Sequence, residues 1–183
     1  MRLFRNKEKT SIDLLKERDK TAQRQFYEKN VGQFLMVSRI YIKDLHYAED
    51  CVVKAFCKIF SNIDAFQNKG SFEGWARRIL VNECLNFIKT QKKILYIDET
   101  NIDFDKEEED FNVNEDFDAL SLIDKLPDNY KMIFNLSVLE EMSHQEISKM
   151  LNISVSASKV QLFRAKQKLK DLYLNLNKKQ NEI

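Results

Sequence analysis

Ser143–Leu169, SHQEISKMLNISVSASKVQLFRAKQKL, is the stretch that decides the fold of the second half of this chain. It reads as two helices around a tight turn, the second longer and basic. Ser143 followed by Glu146 makes a capping box, in which side chain and backbone satisfy each other's orphan groups at a helix start. Ile147, Met150 and Leu151 then fall on one face. Ser148 keeps the crossing point small. Asn152 stands where the chain must turn, and Asn tolerates a left-handed conformation better than other non-glycine residues. Ser154 suits the cap of the second helix. The arrangement is a helix-turn-helix, which lays its second helix in the major groove of DNA. An amphipathic pair in an ordinary bundle is the plainer alternative.

At ~100° per residue, Val155, Ser158, Leu162, Ala165, Leu169 and Leu172 are expected to face inward. Ser156, Ala157, Val160, Gln161, Arg164 and Lys168 are expected on the opposite face. Small residues there permit close approach to a groove, Gln bonds adenine edges, and Arg bonds guanine or phosphate.

Outward from this stretch, the composition argues for an all-α protein. Among 183 residues there are only three Gly and one Pro, and strand-like alternation is scarce. The polar, charged start does not read as a signal peptide, and no apolar run approaches the ~20 residues of a membrane helix, so no membrane insertion is expected. Cys51, Cys57 and Cys84 form no CxxC pair, and His46 lies far from His144 in sequence. A zinc site or a disulfide framework is not expected, and a reducing cytoplasm is the natural setting. The cysteines read as small buried apolar residues. No nucleophile constellation, metal cluster or phosphate loop is legible, so neither enzymatic activity nor a cofactor is expected.

The net charge of +1 conceals a segregation. Residues 98–118 hold eleven acids and one base, Lys106, whereas the remainder holds 29 bases and 18 acids. Basic parts of this kind suit a polyanion. The acidic strip has no helical period and repels itself, so residues 94–118 read as a flexible, extended linker. It either keeps two lobes apart or occupies a basic channel on a partner, as a nucleic acid does. The expected organisation is two small helical domains, residues 11–93 and 119–176, joined by that linker, the second containing the helix-turn-helix.

In the first domain, helices are expected near Ile12–Lys29, Val31–Lys43 and Leu45–Ile63, the last capped by Asp44. A fourth, capped by Ser71, runs to about Lys92. Along it, Trp75, Arg78, Asn82, Asn86, Lys89 and Lys93 share a line at ~100° per residue. Aromatic, amide and cation together suit gripping a nucleic-acid backbone and stacking on exposed bases. A solvated helix face with Trp75 tucked into the core is the alternative. In the loop before it, Phe66 and Phe72, beside Asn68 and Lys69, serve either base stacking or the anchoring of the loop to the core.

These parts together resemble the sigma factors of bacterial RNA polymerase, specifically the two-domain extracytoplasmic-function group. The resemblance runs from about Phe26 to Tyr173. It rests on Ala48-Glu49-Asp50 opening a helix that ends KAFCKIF, on GSFEGWARRILVN, and on Leu126-Pro127 followed by Tyr130 and Phe134. It closes with the helix-turn-helix and its Lys159, Leu162, Arg164 and Ala165. The resemblance implies a dissociable, non-catalytic subunit that directs core RNA polymerase to promoter DNA. It places core-polymerase binding at Glu49, Asp50, Val53 and Lys54. It places the proximal promoter element at residues 65–71 and along Asn68, Lys69, Trp75, Arg78, Asn82, Asn86 and Lys89. The distal element falls to Ser156, Ala157, Val160, Gln161, Arg164 and Lys168. An anti-sigma protein is a further implied partner.

The chain departs from the family pattern at Val53 and Lys54, which bears on the core-polymerase contacts, at Asn86, and at Val155-Ser156-Ala157 and Gln161, where the resemblance places DNA reading, which implies its own promoter preference. Two other classes of function fit parts of the chain. One is a stand-alone helix-turn-helix regulator that needs no polymerase; the other is a helical adaptor with basic faces.

Overall fold

The computed structural model describes residues 10–67, 69–91 and 119–181, with the side chains of 119, 120 and 177–181 left aside. The described residues are helical, without a strand. The chain divides into two compact units, Met1–Lys93 and Ile94–Ile183. The expected linker, residues 94–118, lies outside the described residues.

Among the described residues the first unit contains four helices: α1 (Ser11–Lys16), α2 (Lys20–Tyr41), α3 (Leu45–Ser61) and α4 (Phe72–Gln91). A 3-10 turn, Ile63–Ala65, follows α3. Helices α2, α3 and α4 pack on one another. They bury Phe34, Val37, Val52, Phe56, Ile59 and Leu80. Asp44 caps α3 by accepting from Tyr47 N–H at 3.2 Å. Ser71 Oγ accepts from Gly74 N–H at 3.0 Å at the start of α4. A Cβ at residue 74 would stand 2.9 Å from that oxygen, so the cap favours glycine there.

The helix break is not where the sequence pattern placed it. The chain runs straight through Asn30 and Val31 within α2 and breaks instead at Glu17–Asp19. Asn30 is buried inside the helix, its side-chain amide donating to Phe26 O at 2.7 Å. The break is a Schellman ending of α1. Arg18 N–H bonds Leu15 O, Asp19 N–H bonds Leu14 O, and Arg18 adopts φ 61°. Asp19 then caps α2, its carboxylate accepting from Ala22 N–H at 2.7 Å.

The second unit contains α5 (Ala119–Ile123), α6 (Asp128–Phe134), α7 (His144–Leu151) and α8 (Val155–Asn181). A π-turn, Asn135–Leu139, extends α6. Glu141, at φ 52°, then redirects the chain into α7. Lys131 pairs with Asp124 across the α5–α6 connection. Helix α8 packs against α5, α6 and α7. Leu122, Ile133, Leu136, Ile147 and Ala165 fill the centre.

Candidate nucleic-acid interface

The helix-turn-helix forms from the local signals in its sequence. Ser143 Oγ accepts from Glu146 N–H at 3.3 Å, and Glu146 accepts from Ser143 N–H at 3.0 Å, closing the capping box. Asn152 takes the left-handed conformation at φ 56°. Ser148 Oγ donates to Ile153 O at 2.6 Å, which fixes the turn. Ser154 Oγ accepts from Ala157 N–H at 3.0 Å and caps α8. His144 Nδ1 lies 2.9 Å from Ser158 Oγ and ties the start of α7 to α8.

The outward face of α8 differs from the expected one. Ala157, Val160 and Gln161 are 1%, 2% and 3% exposed, so none of them faces solvent. Ser156 and Lys168 are exposed, and Arg164 is half-buried. On the supposed inward face, Ser158 and Ala165 are buried, Leu162, Leu169 and Leu172 are half-buried, and Val155 is exposed. The cause is that α8 is packed by both α6 and α7, so its buried arc is wider than one amphipathic stripe. The small side chains of Ala157 and Val160 serve close helix packing rather than groove approach. One outward stripe, with Val155 and Lys168 exposed outside it, consists of Ser156, Lys159 and Gln167, exposed, and Phe163, Lys166 and Lys170, half-buried. At ~100° per residue these six lie within about 100° of arc. The signal was present as polar residues at 156, 159, 166, 167 and 170; the apolar Val155 in the first turn misled the phase.

In the first unit, α4 presents the expected line. Arg78, Asn82, Asn86 and Lys89 are exposed and Trp75 is half-buried. Phe66 and Phe72 are buried, which makes them anchors of the loop rather than stacking surfaces. Trp75 stacks on Phe72 with ring centres 5.5 Å apart and 26° between planes. Phe66 lies 5.6 Å from Trp75 and 5.2 Å from Phe72. Trp75 is thus the outermost ring of an aromatic stack beneath the loop. Lys69, Gly70 and Ser71 are exposed in that loop. Asn68 and Lys93 lie outside the described residues.

Two family models match the chain, Sigma-70 region 2 over residues 26–94 and Sigma-70, region 4 over residues 117–169. RNA polymerase sigma factor SigV of Bacillus subtilis strain 168 is 30% identical over 133 residues, 72% of this chain and 79% of that protein. ECF RNA polymerase sigma factor SigW of the same organism is 30% identical over 142 residues, 69% of this chain and 75% of that protein. The chain belongs to the extracytoplasmic-function group of RNA polymerase sigma factors. As a sigma factor it directs transcription initiation. Solved structures share the fold. A sigma factor RpoE bound to the anti-sigma factor NepR, from Bartonella quintana, aligns with a TM-score of 0.53 at 15% identity, over 82% of this chain and 95% of that one. CnrH in complex with the cytosolic domain of CnrY aligns with a TM-score of 0.52 at 17% identity, over 89% of this chain and 94% of that one.

In this sigma factor α3 exposes Glu49, Val53 and Lys54, with Asp50 half-buried beside them. Val53 is an exposed apolar side chain among charges. Cys51 and Cys84 are buried, and burial pushes the Cys84 thiol up to about 12, which keeps it protonated and inert. Cys57 departs from the expected burial and is exposed on α3. Among the described residues no group of His, Cys, Asp and Glu is placed to hold a metal ion, and no helix is long and apolar enough to cross a membrane.

Proposed function

We propose that the two units divide promoter recognition between them. The outward stripe of α8 enters the major groove of the distal element as duplex, with Ser156 and Lys159 nearest the helix start and Lys166 and Lys170 toward the phosphates. Arg164 and Lys168 flank that stripe. In the first unit the loop and the α4 line of Trp75, Arg78, Asn82, Asn86 and Lys89 hold the proximal element as a single strand. Unstacking a base costs a few kcal/mol, offset by stacking on Trp75 and by contacts from Lys69 and the amides. Core RNA polymerase binds the α3 surface around Glu49, Asp50, Val53 and Lys54. The acidic residues 94–118 tether the two units and lie along a basic channel of the polymerase. The protein is non-catalytic and acts in the cytoplasm. An anti-sigma protein is a further partner, a reading supported by the solved relative that carries one.

The observation that carries the proposal is the pairing of a capped helix-turn-helix bearing an outward basic stripe with an exposed amide-and-cation line on a separate unit. Family membership sets aside the stand-alone regulator and the helical adaptor. The test is transcription of a genomic DNA library by core RNA polymerase with and without this protein. New start sites sharing two upstream elements are expected. Sound core binding without new starts in any library fragment would refute the division of labour.

A further inference from the structure

Arg18 occupies a position that favours glycine. It is the left-handed residue of the Schellman ending of α1, at φ 61°. An L side chain in that conformation is strained relative to glycine. Its guanidinium reaches across to the end of α3, donating to Phe60 O at 3.2 Å and to Asp64 Oδ2 at 3.2 Å. Both Arg18 and Asp64 are more than half exposed, so the ion pair adds little stability. Stability alone therefore favours glycine at residue 18, and the side chain has another use.

That use is visible in where the bonds land. Lys16, two residues earlier, donates its ammonium to Phe66 O at 3.3 Å. Phe60 and Phe66 bracket the 3-10 turn that leads into the loop, Asp64 lies within it, and Phe66 is buried at its end. The carbonyl of Phe66 is where the chain leaves the core toward Gln67 and Lys69. Leu15, buried just before the two cations in sequence, holds α1 against the core. Helix α1 lies upstream of the residues matched by the region 2 family model, which begins at Phe26.

We propose that Arg18 and Lys16 are positioning residues for promoter opening, a strap from α1 that fixes the stem of the single-strand-reading loop. The inference rests on the loop's role proposed above. An entry held at Phe60, Asp64 and Phe66 leaves the loop less conformational freedom to lose when it captures a base. Freeing the stem leaves the unit folded and the loop misplaced, and small misplacements cost large factors in such steps.

The experiment uses the full-length protein with core RNA polymerase. The probe is a single-stranded oligonucleotide copied from the non-template strand of a promoter found by the library transcription, with permanganate reactivity reporting opening of the duplex. Arg18→Gly keeps the backbone conformation without strain, so its melting temperature should stay level or rise and core binding should be unchanged. Its capture of the oligonucleotide and its opening of duplex promoter should fall about tenfold. Lys16→Met should fall in the same direction, and Arg18→Lys, which keeps a donor for Phe60 O, should recover most of the loss. Normal opening by Arg18→Gly, with Lys69→Ala and Trp75→Ala impaired, would overturn the strap and leave the loop reading standing. Normal opening by all three would overturn the loop reading and the strap with it. A lowered melting temperature in Arg18→Gly that tracks its loss of opening would reduce the strap to a structural contact and overturn its positioning role.

Discussion

His144 Nδ1 and Ser158 Oγ lie 2.9 Å apart, joining the first residue of α7 to the first turn of α8. The bond sets the crossing of the two helices that form the DNA-reading module. Burial, and then the positive charges of Lys159 and Lys166, lower the pKa of this imidazole from its ordinary 6.5. The same lysines belong to the outward stripe of α8, so the charge proposed to meet DNA adds to burial in lowering the pKa of the module's internal histidine.

A pH dependence follows from that shift. The unfolded chain takes up the proton near 6.5, before the folded protein does. Above that value His144 is neutral in both states and costs nothing. As pH falls through it toward the lower folded value, the second unit loses stability, and the loss levels off once both states are protonated. Thermal melts of the full chain from about pH 8 to about pH 5 should show this decline. His144→Gln should flatten the part of the decline that His144 supplies. An identical slope in the variant would show that other groups carry it.

In the first unit, Lys58 Nζ sits 2.6 Å from Glu83 Oε1 and links α3 to α4. The Glu83 side chain is 10% exposed and that of Lys58 is 52%. Lys58→Met leaves a nearly buried carboxylate without its cation. Because Lys58 is half in solvent, the pair is partly screened, and the expected loss is about 1–2 kcal/mol. Adding Glu83→Leu to Lys58→Met should restore most of it, which a denaturant-unfolding double-mutant cycle measures directly.

Glu141 holds φ 52° at the entry to α7, a conformation that suits glycine. Its side chain is exposed. Glu141→Gly should raise stability by about 0.5–1 kcal/mol, relief of strain exceeding the added freedom of the unfolded chain. Glu141→Val should lower it by a larger amount. Equal melting temperatures for the three proteins would show that the turn tolerates a side chain without strain.

Much of this architecture was legible because its signals are local. The Ser143–Glu146 box, Asn152 at the turn, and the caps at Asp44 and Ser71 each need only neighbouring residues, and each formed as the spacing implied. The break at Arg18 was not legible, because an arginine in a glycine position leaves no mark in the sequence. The α4 line was legible because one broad apolar face settles its phase. The face of α8 was not, because two partners, α6 and α7, bury two adjoining sectors of it. A small residue such as Ala157 looks the same whether it approaches a groove or a neighbouring helix.

That ambiguity gives the sharpest test of the second unit. Lys159 is exposed on the outward stripe, whereas Gln161, two residues on, is 3% exposed. Lys159→Ala should leave the melting temperature nearly unchanged while weakening binding to promoter duplex. If Lys159 meets a phosphate, the slope of log affinity against log salt should shrink by about one unit, uniformly across sequences. If it meets a base edge, binding should weaken at one promoter position only, by ~1–3 kcal/mol. Gln161→Ala should do the reverse, opening a void between packed helices and lowering stability by about 1–2 kcal/mol while the folded variant keeps its DNA preference. Arg164→Ala, half-buried at the border of the two sectors, should lower promoter selectivity without unfolding the unit. Selectivity lost with Gln161→Ala and affinity unchanged with Lys159→Ala would mean that α8 turns its other side to the groove, and the assigned stripe would fall.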